Sequence, residues 1–175
     1  PRFVASGEDL DITVLFWQTL FEEMSKQVTV GLCGQGADEL HAGYARYRDL
    51  DEHSRLVSNR LSLAGGFDIS GIEHGPGAPW LNTKIDPKHH FKDLSTTLQF
   101  ELDRGQLSNF QLRLADRHSM AQGMEVRVPF LSSQHRAESN RLPMRWRLSA
   151  DTEKLALREA ASLTNLPEIT VRRPK

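Results

Sequence analysis

Between Val28 and Glu39 the chain passes from a short apolar run, Val28-Thr29-Val30-Gly31-Leu32, through glycines at 34 and 36 to two adjacent carboxylates, Asp38 and Glu39. The β-branched run has the length and composition of a buried strand. The glycines at 31, 34 and 36 then break it into a tight loop. A helix is expected from Asp38 through Tyr44, Tyr47 and Leu50. This arrangement has two readings. In the functional one, a loop of small residues lets backbone N–H groups approach a ligand closely. Carboxylates at its end can hold a hard cation such as magnesium, which would neutralise phosphate oxygens. In the structural one, the same residues are a turn before a helix whose dipole favours acidic residues in its first turn. No Lys-Ser or Lys-Thr follows the glycines, so this is not a Walker A loop, and the spacing is not GxGxxG.

The rest of the chain limits the classes to which such a loop can belong. With 175 residues and 38% hydrophobic content it suits one ordinary domain, or a piece of a larger one, with a sizeable core. Lys plus Arg is 22 and Asp plus Glu is 23, which argues against nucleic acid or a membrane surface as the main partner. Cys33 is the single cysteine, so no internal disulfide is possible and a reducing compartment, the cytoplasm, is the simplest inference. Beside a strand, Cys33 reads as a small buried thiol rather than a nucleophile. No apolar run reaches the roughly 18 residues of a membrane span. The chain opens on Pro1-Arg2-Phe3 with neither Met nor a secretory pattern, as a processed or excerpted product would.

Helical spacing at Val14, Trp17, Phe21 and Met24 predicts a first helix with one buried face, with Ser6, Asp9 and Asp11 suited to its start. Residues 62–90, with glycines at 65, 66, 71, 75 and 77 and prolines at 76 and 79, read as a flexible surface loop or lid. Helix is expected again from about Asp93 to Gln122, with a break near Gly105 and an end at Gly123. Glu125 to Pro129 should be extended. Another helix should span 132–141, and Asp151 or Thr152 could cap a last one through Lys154, Leu157, Arg158 and Ala161. Met120, Met124, Val128, Phe130 and Leu131 read as core. Glu125 and Arg127 share one face of the extended segment and could pair with each other or with neighbouring helices. Arg172, Arg173 and Lys175 form a basic tail, either solvated or in contact with an anion. His89-His90 is the only adjacent histidine pair and forms no expected metal site; no Cys pair supports zinc and no GxSxG elbow is present.

Three blocks carry a resemblance. Leu32-Cys33-Gly34-Gln35-Gly36-Ala37-Asp38-Glu39-Leu40-His41-Ala42-Gly43-Tyr44 resembles the S-G-E/Q-G-A-D-E-L-F-G-G-Y signature of asparagine synthetases. Ser119-Met120-Ala121-Gln122-Gly123-Met124-Glu125-Val126-Arg127-Val128-Pro129-Phe130-Leu131 is similar to their S-M-A-x-G-x-E-x-R-x-P-F-L-D. Glu153 to Ala160 and Leu166 to Lys175 look like their K-x-x-L-R-E-A helix and L-P-x-x-I-x-x-R-x-K tail. The blocks stand in the family's order and leave only the 50–110 region without a counterpart.

The resemblance implies the C-terminal part of a synthetase domain, with residues 1–175 as one unit. It also implies a mainly α fragment of an α/β adenine-nucleotide-hydrolase-like (ATP pyrophosphatase) fold with a short parallel-strand remnant. The implied parent activates the side-chain carboxylate of aspartate with ATP and magnesium, forms an aspartyl-adenylate and transfers ammonia from glutamine to make asparagine. By motif position Asp38 is the implied magnesium ligand and Lys154 the lysine that contacts pyrophosphate. Gly34, Gln35 and Gly36 are the loop that lines the substrate. The S-G-G-x-D-S pyrophosphate loop and the glutaminase domain are absent and would lie upstream of residue 1, so the chain alone is expected to be inactive. Gln35 stands where many members have Glu, Cys33 where they have Ser, His41 and Ala42 where they have Phe and Gly, and Ser132 where they have Asp. A non-catalytic remnant or interaction module stays open. So does a related ligase acting on another carboxylate, β-lactam-forming or peptide-modifying, with its substrate chosen by residues 93–118.

Overall fold

In the computed structural model the described residues are 12–65 and 86–173. The first helix's expected start at Ser6 to Asp11, residues 66–85 of the expected loop, and Lys175 lie outside them. The described chain is mainly helical around a two-stranded parallel sheet. Helix α1, Ile12–Met24, leads to strand β1, Val30–Leu32. A five-residue helix α2, Ala37–His41, follows the glycine loop, then a 3-10 turn at Ala45–Arg48 and helix α3, Leu50–Gly65. Beyond the gap come α4, Pro87–His90, and α5, Leu94–Asp103, then a π-helical turn, Leu107–Gln111, that runs straight into α6, Leu112–Met120. Strand β2, Glu125–Arg127, a 3-10 turn at Pro129–Leu131 and helix α7, Ser133–Arg141, complete the central part. A 3-10 turn, Met144–Trp146, and helices α8, Leu155–Ser162, and α9, Glu168–Val171, end it.

The sheet joins two of the sequence blocks. Val30, Gly31 and Leu32 pair in parallel with Glu125, Val126 and Arg127, and the ladder extends by Glu125 N–H to Thr29 O and Cys33 N–H to Arg127 O. The residue after the strand is therefore anchored just before the glycine loop begins. The expectation of a strand buried on both faces is not met. Gly31 is buried, where an added Cβ would press on Met24, but Val30 is 40% and Leu32 75% exposed. Helices α1 and α6 pack on each other and α6 on β2, so among the described residues helices line one face and the alternate side chains point away.

Several helix boundaries follow local chemistry. Asp93 caps α5 by accepting the Thr96 N–H, where the sequence places the start. Gly123, at φ +68°, ends the turn after α6, with its N–H bonded to Met120 O. Ser132 caps α7. On α1, Phe21 is buried and its ring packs at a tilt against Trp17, while Phe16 and Leu20 are exposed. Residues 62–65 belong to helix α3 and 87–90 to α4, so helix replaces both ends of the expected loop 62–90. Two further corrections concern packing. Met120 is exposed rather than core, because α6 ends there and only Met124 turns inward, and Cys33 is only partly buried. Glu125 and Arg127 do pair, at 2.7 Å, but on the surface, so no buried network holds that segment.

The core lies around α5. Leu98 packs with Ala42 and Tyr47, and Phe100 with Val57 and Phe91. Helix α2 sits at the centre and touches α5, α7 and α8.

Candidate active site

Helix α2 was expected to run on through Tyr44 and Tyr47. It stops after His41 instead, because Ala42 adopts a left-handed conformation, φ 54°, and the N–H groups of Ala42 and Gly43 both turn back to Asp38 O. The chain then reverses, which buries Gly43 and Tyr47. A side chain at 43 would overlap both Asp38 Oδ1 and Lys154 Cε. Gly43 thus leaves the space in which two residues far apart in the chain meet: Lys154 Nζ is 2.8 Å from Asp38 Oδ1, with side chains 22% and 20% exposed.

Lys154 is itself conformationally unusual. It occupies the N-cap position of α8 in a left-handed conformation, φ 54°. Neither Asp151 nor Thr152, the caps suggested by the sequence, takes that place. Both belong to a tight turn in which Ser149 and Thr152 bond to each other and Leu148 bridges Glu153. A non-glycine residue at positive φ persists only where its surroundings hold it. Here Leu155 N–H bonds Arg147 O behind it, and Arg158 N–H bonds Lys154 O ahead of it. Together they hold the ammonium at Asp38.

The adjacent carboxylate behaves differently. Glu39 is buried, 1% exposed, and its Oε1 accepts the Tyr44 hydroxyl at 2.9 Å. Tyr44 is bonded in turn to Gln111. Burial raises the Glu39 carboxyl above the ordinary value, and the Tyr44 bond pulls it partly back. The idea of two carboxylates sharing a cation is therefore corrected: Asp38 faces Lys154 and Glu39 faces the core. For a magnesium ion the residues fit in part. One carboxylate is enough when phosphate oxygens and water supply the other ligands, and among the described residues no group of three His, Cys, Asp or Glu gathers.

The loop divides as well. Gly36, at φ +90°, is buried, and an added Cβ would overlap the Leu131 side chain. It fastens the first block onto the second. Gly36→Ala is expected to cost about 1–3 kcal/mol through strained backbone and overpacking; urea unfolding measures it, and a change below roughly 0.5 kcal/mol would show that Leu131 does not seal the loop. Gly34, by contrast, is exposed with open space about it, and Gln35 is half-buried. An open cavity of about 520 Å3 lies beside Lys154, lined by Gly43, Leu157, Arg158 and Arg173 among others. Gly34, Gln35 and Gly36 do not line it. Arg158 is committed, donating to the carbonyls of Glu153, Val171 and Arg173, and Arg172 pairs with Glu159 at 3.1 Å. Of the basic tail, Arg173 alone among the described residues lines the cavity.

Residues 13–175 match the sequence pattern of the family described as asparagine synthase. The chain belongs to the asparagine synthase family. Two relatives are named "Putative asparagine synthetase, glutamine-hydrolyzing", one from Mycobacterium bovis (strain ATCC BAA-935 / AF2122/97) and one from Mycobacterium tuberculosis (strain ATCC 25618 / H37Rv). Each is 27% identical to this chain over 205 residues, a match that covers 87% of this chain and 30% of the relative. The chain therefore spans under a third of the length of these curated relatives. No solved structure gives a significant match. No helix among the described residues is long and apolar enough to cross a membrane.

Within this member of the asparagine synthase family, sequence reasoning missed the polar network behind the site. Arg46 lies 3.8 Å over the Tyr44 ring and reaches Glu101 on α5 at 3.3 Å. Glu101 also accepts the Gln106 N–H. No local signal could have joined residues 55 positions apart. A carboxylate on the face of α5 that also carries Thr97, Leu98 and Phe100 was the hint.

Proposed function

We propose that this chain is the C-terminal portion of an ATP-dependent amide ligase whose substrate is the side-chain carboxylate of aspartate, and that the activity belongs to a longer polypeptide. The observation that carries this reading is the Asp38–Lys154 contact, assembled from two separate family blocks in a space kept open by Gly43. In the reaction the substrate carboxylate attacks the α-phosphorus of ATP, and the bond to the β-phosphate breaks to release pyrophosphate. Ammonia derived from glutamine then displaces AMP from the acyl carbon. Negative charge gathers on the departing pyrophosphate. Lys154, in contact with one oxygen of Asp38, would exchange that contact for a phosphate oxygen. Magnesium, when bound, would neutralise further phosphate charge. Asp38 would hold that ion beside Lys154, and the Gly34–Gly36 loop would line the bound substrate. A fixed donor of this kind is worth about 10²–10³ in rate.

The test is aspartate-dependent ATP–pyrophosphate exchange by the longest natural polypeptide that carries this chain. Lys154→Ala is expected to lower exchange by about 10²-fold or more, and Asp38→Asn to raise the magnesium concentration required. Exchange unchanged in Lys154→Ala would remove the role given to that lysine. Exchange driven by another carboxylic acid and not by aspartate would assign a different substrate.

A further inference from the structure

His41 lies on α2 and is 3% exposed. Its Nε2 stands 2.9 Å from Nε2 of His135 on α7, and Ser139 Oγ, one helical turn further along α7, is 3.3 Å from the same nitrogen. Two imidazole nitrogens at that separation share one proton: one ring donates and the other accepts. A second proton would set N–H against N–H.

The surroundings oppose that second charge. Between α7 and α8, the buried Arg147 donates to Leu40 O at 2.9 Å and to Ser139 O. Lys154, at the start of α8, adds a second cation to the field at His41. From the turn before α7, Phe130 meets the His135 ring edge-on. The nearby carboxylates are engaged elsewhere: Asp38 with Lys154, Glu39 with Tyr44, and Glu101 of α5 with Arg46. Burial first, then His135, Arg147 and Lys154, hold His41 down at about 4. The unfolded value is 6.5, so the folded state binds fewer protons between the two. Stability from this group is therefore full above 6.5 and is lost as pH falls toward 4.

We propose that His41 and His135 form a single-proton clamp that fastens α2 to α7 and thereby keeps Asp38 on Lys154, and that entry of a second proton opens it. The geometry requires this coupling, because α2 has only five residues and its Asp38 is one turn before His41. Displacing one end of so short a helix moves the other. The clamp is independent of which reaction the site serves.

The test uses the full chain. Imidazole nitrogen spectra at pH 7 are expected to show one Nε2 protonated and the other bare. The His41 Nε2 signal should change in a single step on acidification, and the Asp38 carboxyl carbon should shift with the same midpoint. The thermal midpoint of the unaltered chain should fall by roughly 4–7 °C more between pH 7 and 5 than that of His41→Phe, which cannot take the proton. The spectra of the unaltered chain decide the matter even where His41→Phe does not fold. His41 titrating near its ordinary value would overturn the clamp, and so would an Asp38 signal indifferent to it or an acid fall retained in full by His41→Phe. A midpoint raised by zinc at pH 7.5 and lost in His135→Gln would overturn it too, by making the pair a metal site.

Discussion

Glu101→Ala is expected to destabilise the protein by about 3–5 kcal/mol, the cost of breaking a buried ion pair from one side. The Glu101 carboxylate is fully buried and accepts from Arg46 at 3.3 Å and from the Gln106 N–H at 2.8 Å, with His53 at 3.9 Å. Its removal strands a guanidinium wedged over Tyr44 and Tyr47, whose Nε has no hydrogen-bond partner among the described residues. Burial raises the Glu101 carboxyl above the ordinary value, outweighing the pull of Arg46 and Gln106. The sign follows: ionising Glu101 is harder in the folded than in the unfolded state, so stability is lost as pH rises through the raised folded value. The pair thus specifies geometry rather than adding net stability. Glu101→Gln, which keeps an acceptor for Gln106, should lose less than Glu101→Ala. Urea unfolding measures both, and a loss within about 1 kcal/mol for Glu101→Ala would mean the pair is not formed in solution.

Gly43→Ala is expected to part Asp38 from Lys154. Gly43 is not in the left-handed region, so its backbone accommodates alanine and the whole effect comes from contact. Asp38 is short and fixed on α2, whereas Lys154 is long, so Lys154 is the side chain that leaves. Overpacking should lower stability by about 1–3 kcal/mol. Displacing a positioned cation by about 1 Å should lower pyrophosphate exchange by roughly 10²-fold. Stability falling without any loss of exchange would show that Lys154 acts from another position. Exchange falling to the level of Lys154→Ala is the expected result.

These two variants probe the part of the site least visible in the sequence. The loop, its glycines and the identities of Asp38 and Lys154 were legible, because each sits in a short block with fixed spacing. So were the cap at Asp93, the stop at Gly123 and the helix at 133–141, which depend on residues within a turn of themselves. The length of α2 was misjudged, because an alanine in a left-handed conformation has no sequence signal and is held there by what surrounds it. The lysine at the N-cap of α8 escaped for the same reason. The exposed faces of β1 and Met120 were misjudged because an apolar residue shows only its preference for burial, not the presence of a partner to bury it.

The sequence by itself determined the family, the mainly helical content and the residue types at the loop. Those depend on local spacing and on motif wording. Motif wording already singled out Asp38, and only the tertiary structure showed that Asp38 meets Lys154 while Glu39 turns to the core. Adjacent residues on a helix point about 100° apart, so one must face the site when the other faces the core. Which does so depends on α5, α7 and α8 closing around α2. The same closure brought Lys154 to Asp38, Glu101 to Arg46 and His135 to His41. Contacts between such distant residues are set by packing, and packing is a property of the whole chain.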